Sequence, residues 1–231
     1  MSGRADLPRL HVITSDDVLR APGFLDRARA LVGVHGPAMA LHVRGHGLGG
    51  RELLAIVRGL AGASTLLVND RLDVALATDA GAQIGCRSLP VAAARRLLPD
   101  RWLGYSAHAA QEAEDAVRAG ADFVVLGTIF ATPSHPGWNG SGTGLVRETA
   151  RVAPVIAIGG ITPERVEPCL AAGARGVAVL GGVWRTDDPV AAVTSYLDAL
   201  DRAVGPGGRR SACIDGEAAV SGDRPRRGEG P

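Results

Sequence analysis

Three side chains able to hold an anion and move protons stand at alternate positions in His42-Val43-Arg44-Gly45-His46. On an extended backbone alternate residues share a side, so His42, Arg44 and His46 are expected to face one way. A guanidinium grips phosphate or carboxylate through paired hydrogen bonds, and an imidazole exchanges a proton near neutral pH. Further along, Asn69 carries an amide suited to a heterocycle. Asp70 is a metal ligand or a helix cap, the cap being its more ordinary use. Ser106 offers a small hydroxyl donor, and His108 a base or a cap. No order of Ser, His and Asp compels a hydrolytic triad, and such triads are not readable from chain order.

A second group of residues offers backbone instead of side chains. The stretch 154–163, Pro-Val-Ile-Ala-Ile-Gly-Gly-Ile-Thr-Pro, is an apolar run, two glycines, then a helix start. It predicts a strand buried on both faces, with Thr162 as cap and Pro163 in the first helical position. Without a Cβ, Gly159 and Gly160 can bring N–H groups close to an anion at the helix N-terminus. Gly140-Ser141-Gly142-Thr143-Gly144 and Gly181-Gly182 recur in equivalent places. Gly142, Thr143, Gly159, Gly160, Gly181 and Gly182 are therefore expected to hold a phosphate mainly through amides.

Composition narrows the chemistry. The 231 residues are 46% hydrophobic, enough for one sizeable core. A net charge of +1 and 3% aromatic residues argue against a nucleic-acid partner. No apolar run reaches ~18 residues, so no membrane partner is expected. The first residues lack a signal-peptide pattern, and Cys86, Cys169 and Cys213 show no metal spacing, which together predict a cytoplasmic protein without disulfides. The chain contains no lysine, so Schiff-base chemistry on a side chain is excluded. Oligomeric state is left open, with a homo-oligomer compatible.

Elements to position these groups follow in regular alternation. Strands are expected over 10–14, 38–44, 65–69, 82–85, 102–105, 122–127, 154–158 and 176–180. Helices are expected over 16–34, 51–61, 72–78, 90–98, 109–119, 145–152, 163–172 and 188–203, with a long Gly/Pro/Ser/Thr loop over 128–144. Eight strand–helix units predict a single (β/α)8 TIM barrel over 1–204, with active groups at the strand C-termini. Residues 205–231 read as a disordered tail.

Several stretches, in order and spacing, resemble the family of thiamine phosphate synthase and its relative, the thiazole tautomerase TenI. They include His42-Val43-Arg44, the run from Val68 to Leu76 beginning Val68-Asn69-Asp70-Arg71, Gly104-Tyr105-Ser106-Ala107-His108, the run 121–130, and Ile158-Gly159-Gly160-Ile161. The resemblance covers about 10–200 and implies a (β/α)8 barrel acting on a small phosphorylated heterocycle. A synthase would join a pyrimidine diphosphate to a thiazole phosphate, with Mg²⁺ on the leaving pyrophosphate and Asp70 as a metal ligand. This chain departs from that pattern. It has His46 in place of a lysine, Gly85-Cys86-Arg87-Ser88 in place of a metal-carboxylate motif, and no lysine after the sixth strand. A tautomerase would aromatise a thiazole carboxylate phosphate without a metal or other cofactor. There, Thr128 stands where a histidine is expected and joins His42, Arg44, Asn69 and Ser106 in binding substrate, while His46 or His108 carries the proton. The tautomerase is the first expectation, the synthase the alternative, and a non-catalytic phosphate-binding barrel the third.

Overall fold

In the computed structural model, residues 6–62, 65–133 and 136–204 are described. Eight parallel strands close into a barrel in sequence order. They are β1 (Leu10–Ile13), β2 (Met39–Val43), β3 (Thr65–Asn69), β4 (Gly81–Ile84), β5 (Leu103–Ala107), β6 (Phe123–Leu126), β7 (Val155–Ile158) and β8 (Gly176–Val179). β8 returns to β1 through Leu10↔Val177, His11↔Ala178 and Val12↔Val179, which removes every sheet edge. The expected (β/α)8 barrel is the fold. The expected tail, 205–231, lies outside the described residues, as does Cys213.

Among the described residues ten α-helices surround the strands: α1 (Asp16–Arg20), α2 (Phe24–His35), α3 (Gly50–Gly59), α4 (Leu72–Leu76), α5 (Val91–Leu97), α6 (Ala110–Arg118), α7 (Gly142–Thr149), α8 (Pro163–Ala171), α9 (Gly181–Trp184) and α10 (Pro189–Val204). The helix expected over 16–34 is two. Pro22 has no amide hydrogen to continue α1, and Gly23 takes φ 71° to start α2. A short extra helix, α9, follows β8 where only a glycine turn was expected.

Period-two alternation sorts each strand between two apolar layers. Val12, Leu41, Val68, Val124 and Val155 face the helices, in the large cluster that welds strands to shell. Ile13, Ala40, Leu67, Phe123, Ile156 and Ala178 face inward and fill the lumen as a separate cluster. The lumen also holds the fully buried His11 and His42 and the buried Gln83. Room for them comes from a missing side chain. A Cβ on Gly104 would overlap both Gln83 Oε1 and the edge of the Phe123 ring. Below the lumen, Arg95 ties α5 to β6. Its guanidinium donates to Gly120 O at 2.9 Å, Leu98 O at 2.6 Å and Asp122 Oδ2 at 2.7 Å. Cys86 is exposed and Cys169 buried, and both are free thiols, with burial pushing Cys169 up to about 11.

Candidate active site

The C-terminal ends of the strands surround a cavity of about 920 Å³. Arg44, Asn69, Ser106, His108, Thr128, Gly159, Gly160, Gly181 and Gly182 all line it. β2 ends one residue before Arg44, whose amide donates to Thr14 Oγ1 at 2.9 Å. The Thr14 hydroxyl in turn donates to His42 O at 3.0 Å, so a buried side chain holds the strand end in place. At Ser106, Gln83 Nε2 donates to Oγ at 3.0 Å. That occupies a lone pair and leaves the serine O–H to donate to a ligand.

His108 has a defined tautomer. Its Nδ1 is 2.7 Å from Gly127 O, and a carbonyl only accepts, so Nδ1 carries the hydrogen. In the neutral ring Nε2 then holds the lone pair, the arrangement a general base needs. The cap reading of His108 gives way: Ala109 occupies the N-cap of α6, without a side-chain bond.

The turn after β7 is shaped around the loop after β6. Gly159 has φ 100° and Gly160 φ 62°, conformations that side chains other than glycine rarely take. A Cβ on Gly159 would stand 2.8 Å from Thr128 Cα, and one on Gly160 would stand 2.9 Å from Phe130 O. Two backbone bonds hold the segments at this spacing, Ile129 N to Ile158 O and Phe130 N to Gly159 O, both 2.9 Å. Tyr196, from α10, braces the same turn by donating to Ile161 O at 3.0 Å. Turns after β7 and β8 with a short extra helix are the usual phosphate cradle of this fold.

Sequence reasoning missed several lining groups: Asp17 after β1, Gln83 on β4, Arg165 on α8 and Arg185 after α9. Arg165 lies 4.9 Å from the Phe130 ring centroid and donates to Gly160 O at 2.7 Å. Arg165 sits in a helical pattern where a charge reads as a solvated face, and Arg185 follows a stretch that reads only as a glycine turn. Gln83 had a signal, since it is the polar residue in the otherwise apolar Gly81-Ala82-Gln83-Ile84.

Other expectations need correction. His42 does face inward, but it is fully buried in the lumen below the cavity and does not line it. Its Nε2 lies 2.8 Å from His11 Nδ1. Burial lowers His42 to about 4 and holds His11 well below the ordinary imidazole value, so both are neutral near pH 7. The mouth begins one alternate position later, at Arg44. His46 falls outside the cavity because β2 stops at Val43 and the alternation stops with it; its Nδ1 is 3.6 Å from Asp70 Oδ2. Gly142 and Thr143 open α7 and do not line the cavity. The amides of Ser141 and Gly142 already donate to Thr128 O and Ile129 O, at 2.9 Å each, which removes the expected anion nest. Asp70 adopts φ 61°, which Asp tolerates better than most residues. It does not cap α4, whose N-cap is Arg71; its carboxylate accepts instead from Ser88 Oγ.

Residues 29–183 match the family model described as thiamine monophosphate synthase. A thiamine-phosphate synthase of Methanoculleus marisnigri is 37% identical over 209 residues, covering 86% of this chain and 98% of that protein. A bifunctional ThiM/ThiE protein of Symbiobacterium thermophilum is 47% identical over 145 residues; the match covers 61% of this chain and only 30% of that longer protein. Among solved structures, a thiamine phosphate pyrophosphorylase from Pyrococcus furiosus superposes with a TM-score of 0.69 at 27% identity, covering 85% of this chain and 97% of that one.

Proposed function

The chain belongs to the thiamine monophosphate synthase family, and from that premise we propose that it is a transferase joining a pyrimidine diphosphate to a thiazole phosphate. One observation carries the reading. The cavity is lined by three arginines, Arg44, Arg165 and Arg185, against one carboxylate, Asp17. Together with the amides of the two glycine turns, that excess of positive charge suits a ligand set bearing a diphosphate and a phosphate. The names of the relatives point the same way. This reading replaces the tautomerase as the first choice, because the relatives are named as synthases and the three arginines suit the larger charge of a diphosphate beside a phosphate.

In the reaction the pyrimidine carbon gives up its bond to the diphosphate oxygen and bonds the thiazole nitrogen. The electron pair of the broken bond leaves with pyrophosphate. Arg44, at the end of β2, holds the diphosphate as its charge grows, where preorganised cations contribute most. The Ser106 O–H donates to the same group. Gly159, Gly160, Gly181 and Gly182 anchor the thiazole phosphate, and Thr128 packs beside Gly159.

The resemblance implies Mg²⁺ for this chemistry, and the residues do not fit a magnesium site of the expected kind. Asp70 is a lone carboxylate, with one oxygen accepting from Ser88 and the other facing His46. Asp70 does not line the cavity, and Gly85-Cys86-Arg87-Ser88 offers no second carboxylate where the resemblance expects one. Charge neutralisation is therefore assigned to the arginines. The test is pyrophosphate release and thiamine phosphate formation by the purified protein with both substrates, with and without a chelator. Product from the pair supports the reading; no product under either condition ends it.

The tautomerase remains as a second reading on one observation. His108, with Nδ1 engaged by the Gly127 carbonyl, leaves Nε2 as the ring nitrogen free to act at a residue position lining the cavity, which is what abstraction of a carbon-bound proton requires. Aromatisation of a thiazole carboxylate phosphate, with no coupling of the substrate pair, would favour it.

A further inference from the structure

The lumen beneath the cavity holds a chain of polar groups whose hydrogens can be counted. It starts at the Pro8 carbonyl, 3.0 Å from His11 Nε2. It continues through His11 Nδ1 to His42 Nε2, at 2.8 Å. Asn69, which lines the cavity, neighbours His42 and interacts with its ring. His42 Nδ1 and Asn69 Oδ1 are both buried, and neither has a hydrogen-bond partner as the amide stands.

A carbonyl only accepts, so His11 Nε2 must carry a hydrogen. In a neutral ring His11 Nδ1 is then bare and accepts from His42 Nε2–H. His42 Nδ1 is bare in its turn. An amide oxygen directed at it sets one acceptor against another. Put as a count, three contacts strung between two carbonyl oxygens require three hydrogens, and two neutral imidazoles bring two. A third proton would make an imidazolium in the lumen, where the groups bearing on the pair are each other, the Pro8 carbonyl and Asn69, with the Phe123 ring 5.2 Å from that of His11. No carboxylate is among them to offset the lost hydration, so the neutral pair is the stable one. Amide oxygen and nitrogen are assigned from such networks. Turning the Asn69 amide over lets its NH₂ donate to His42 Nδ1 and satisfies the buried acceptors of the chain.

We propose that His11 and His42 are positioning residues that hold the Asn69 amide with its oxygen towards the cavity, so that the site selects a ligand offering an N–H donor there. The aminopyrimidine class meets that requirement. The ligand half of this proposal rests on the transferase reading; the orientation half does not, because it follows from the protein's own groups. It also gives a role to a fully buried histidine two residues before Arg44.

Nitrogen-15 NMR of the full chain with labelled histidine and asparagine, near neutral pH, tests the orientation without a ligand. The expected result is both rings neutral with hydrogen on Nε2, and the Asn69 NH₂ bonded to His42 Nδ1. Hydrogen on His42 Nδ1, or a doubly protonated ring, overturns the proposal. Calorimetry with a 4-aminopyrimidine diphosphate and its 4-methoxy analogue tests selection. The amine should bind about tenfold more tightly, as one buried hydrogen bond requires. In His11→Leu/His42→Leu, which removes both partners together and so leaves neither ring stranded, the preference should shrink to within about twofold. Equal weakening of both ligands in that variant would mean the pair acts on stability alone, and would overturn the selective role. Failure of both pyrimidines to bind, with the NMR pattern intact, would remove the pyrimidine reading and the selectivity with it while upholding the amide orientation.

Discussion

Gly160→Ala separates the shape of the turn after β7 from ordinary glycine strain, because a matched control exists. Gly160 and Gly23 have φ of 62° and 71°, so an alanine at either incurs about 1–2 kcal/mol for the left-handed backbone. They differ in what the new methyl meets. At Gly23 nothing lies within 4 Å. At Gly160 it meets Phe130 O at 2.9 Å and Phe130 C at 3.0 Å, and crowds Ala131 O more closely still. These are backbone atoms of the loop that donates from Phe130 N to Gly159 O, so they cannot swing aside as a side chain would. Relieving the overlap breaks that bond, worth about 1 kcal/mol, and opens the turn. Gly160→Ala should therefore be less stable than Gly23→Ala by about 1–2 kcal/mol, which for a chain of this size is a melting temperature lower by roughly 2–8 °C. Calorimetric melting of both variants measures the gap, and titration with inorganic pyrophosphate and phosphate measures the site. Affinity should fall at least severalfold in Gly160→Ala and hold in Gly23→Ala. Equal melting temperatures and equal affinities would refute the idea that the turn is built to the spacing of the loop after β6.

Other outcomes follow from the same geometry. Arg95→Met should cost about 2–3 kcal/mol, because it takes the guanidinium from the Asp122 carboxylate, which keeps its bond from the Leu103 amide, and from several carbonyls; denaturant melts check this, and a loss under about 1 kcal/mol would show the network to be ornamental. Arg44→Ala and Arg185→Ala should each weaken pyrophosphate binding by roughly tenfold or more, the usual value of a charge-assisted hydrogen bond, with the melting temperature little changed; unaltered affinity in both would take the diphosphate away from this cavity. Stability should fall in mild acid. His42 titrates near 4 folded and 6.5 unfolded, so as pH falls the unfolded chain takes up the proton first. That contribution, about 3 kcal/mol, is whole above pH 6.5 and drains as pH falls towards about 4, with His11 acting in the same direction. Stability measured against pH in wild type and in His11→Leu/His42→Leu should diverge in that window, and parallel curves would contradict the buried neutral pair.

The barrel was legible because alternation of short apolar runs with helical patterns, eight times over, has few other compact solutions. The break between α1 and α2 was legible in principle at Pro22-Gly23, but an apolar stripe on either side hid it. Arg44, Asn69 and Ser106 could be placed on a common rim from their positions at strand ends. His42 and His46 could not be told apart from Arg44, because period two assigns a side of the sheet but not a depth along the strand.

Depth, and the use of each backbone amide, belong to the folded chain alone. The amide of Gly142 looks as available on paper as that of Gly160, yet one is consumed by Ile129 O and the other sits in a turn lining the cavity. Arg165 from α8 and Arg185 from the end of α9 reach the mouth because the barrel brings their turns over it, and no local pattern contains that information. The sequence by itself determined the fold class, the absence of lysine chemistry and the family. The tertiary structure decided which histidines are buried and neutral, and which cations surround the cavity, since burial and convergence depend on residues distant in the chain.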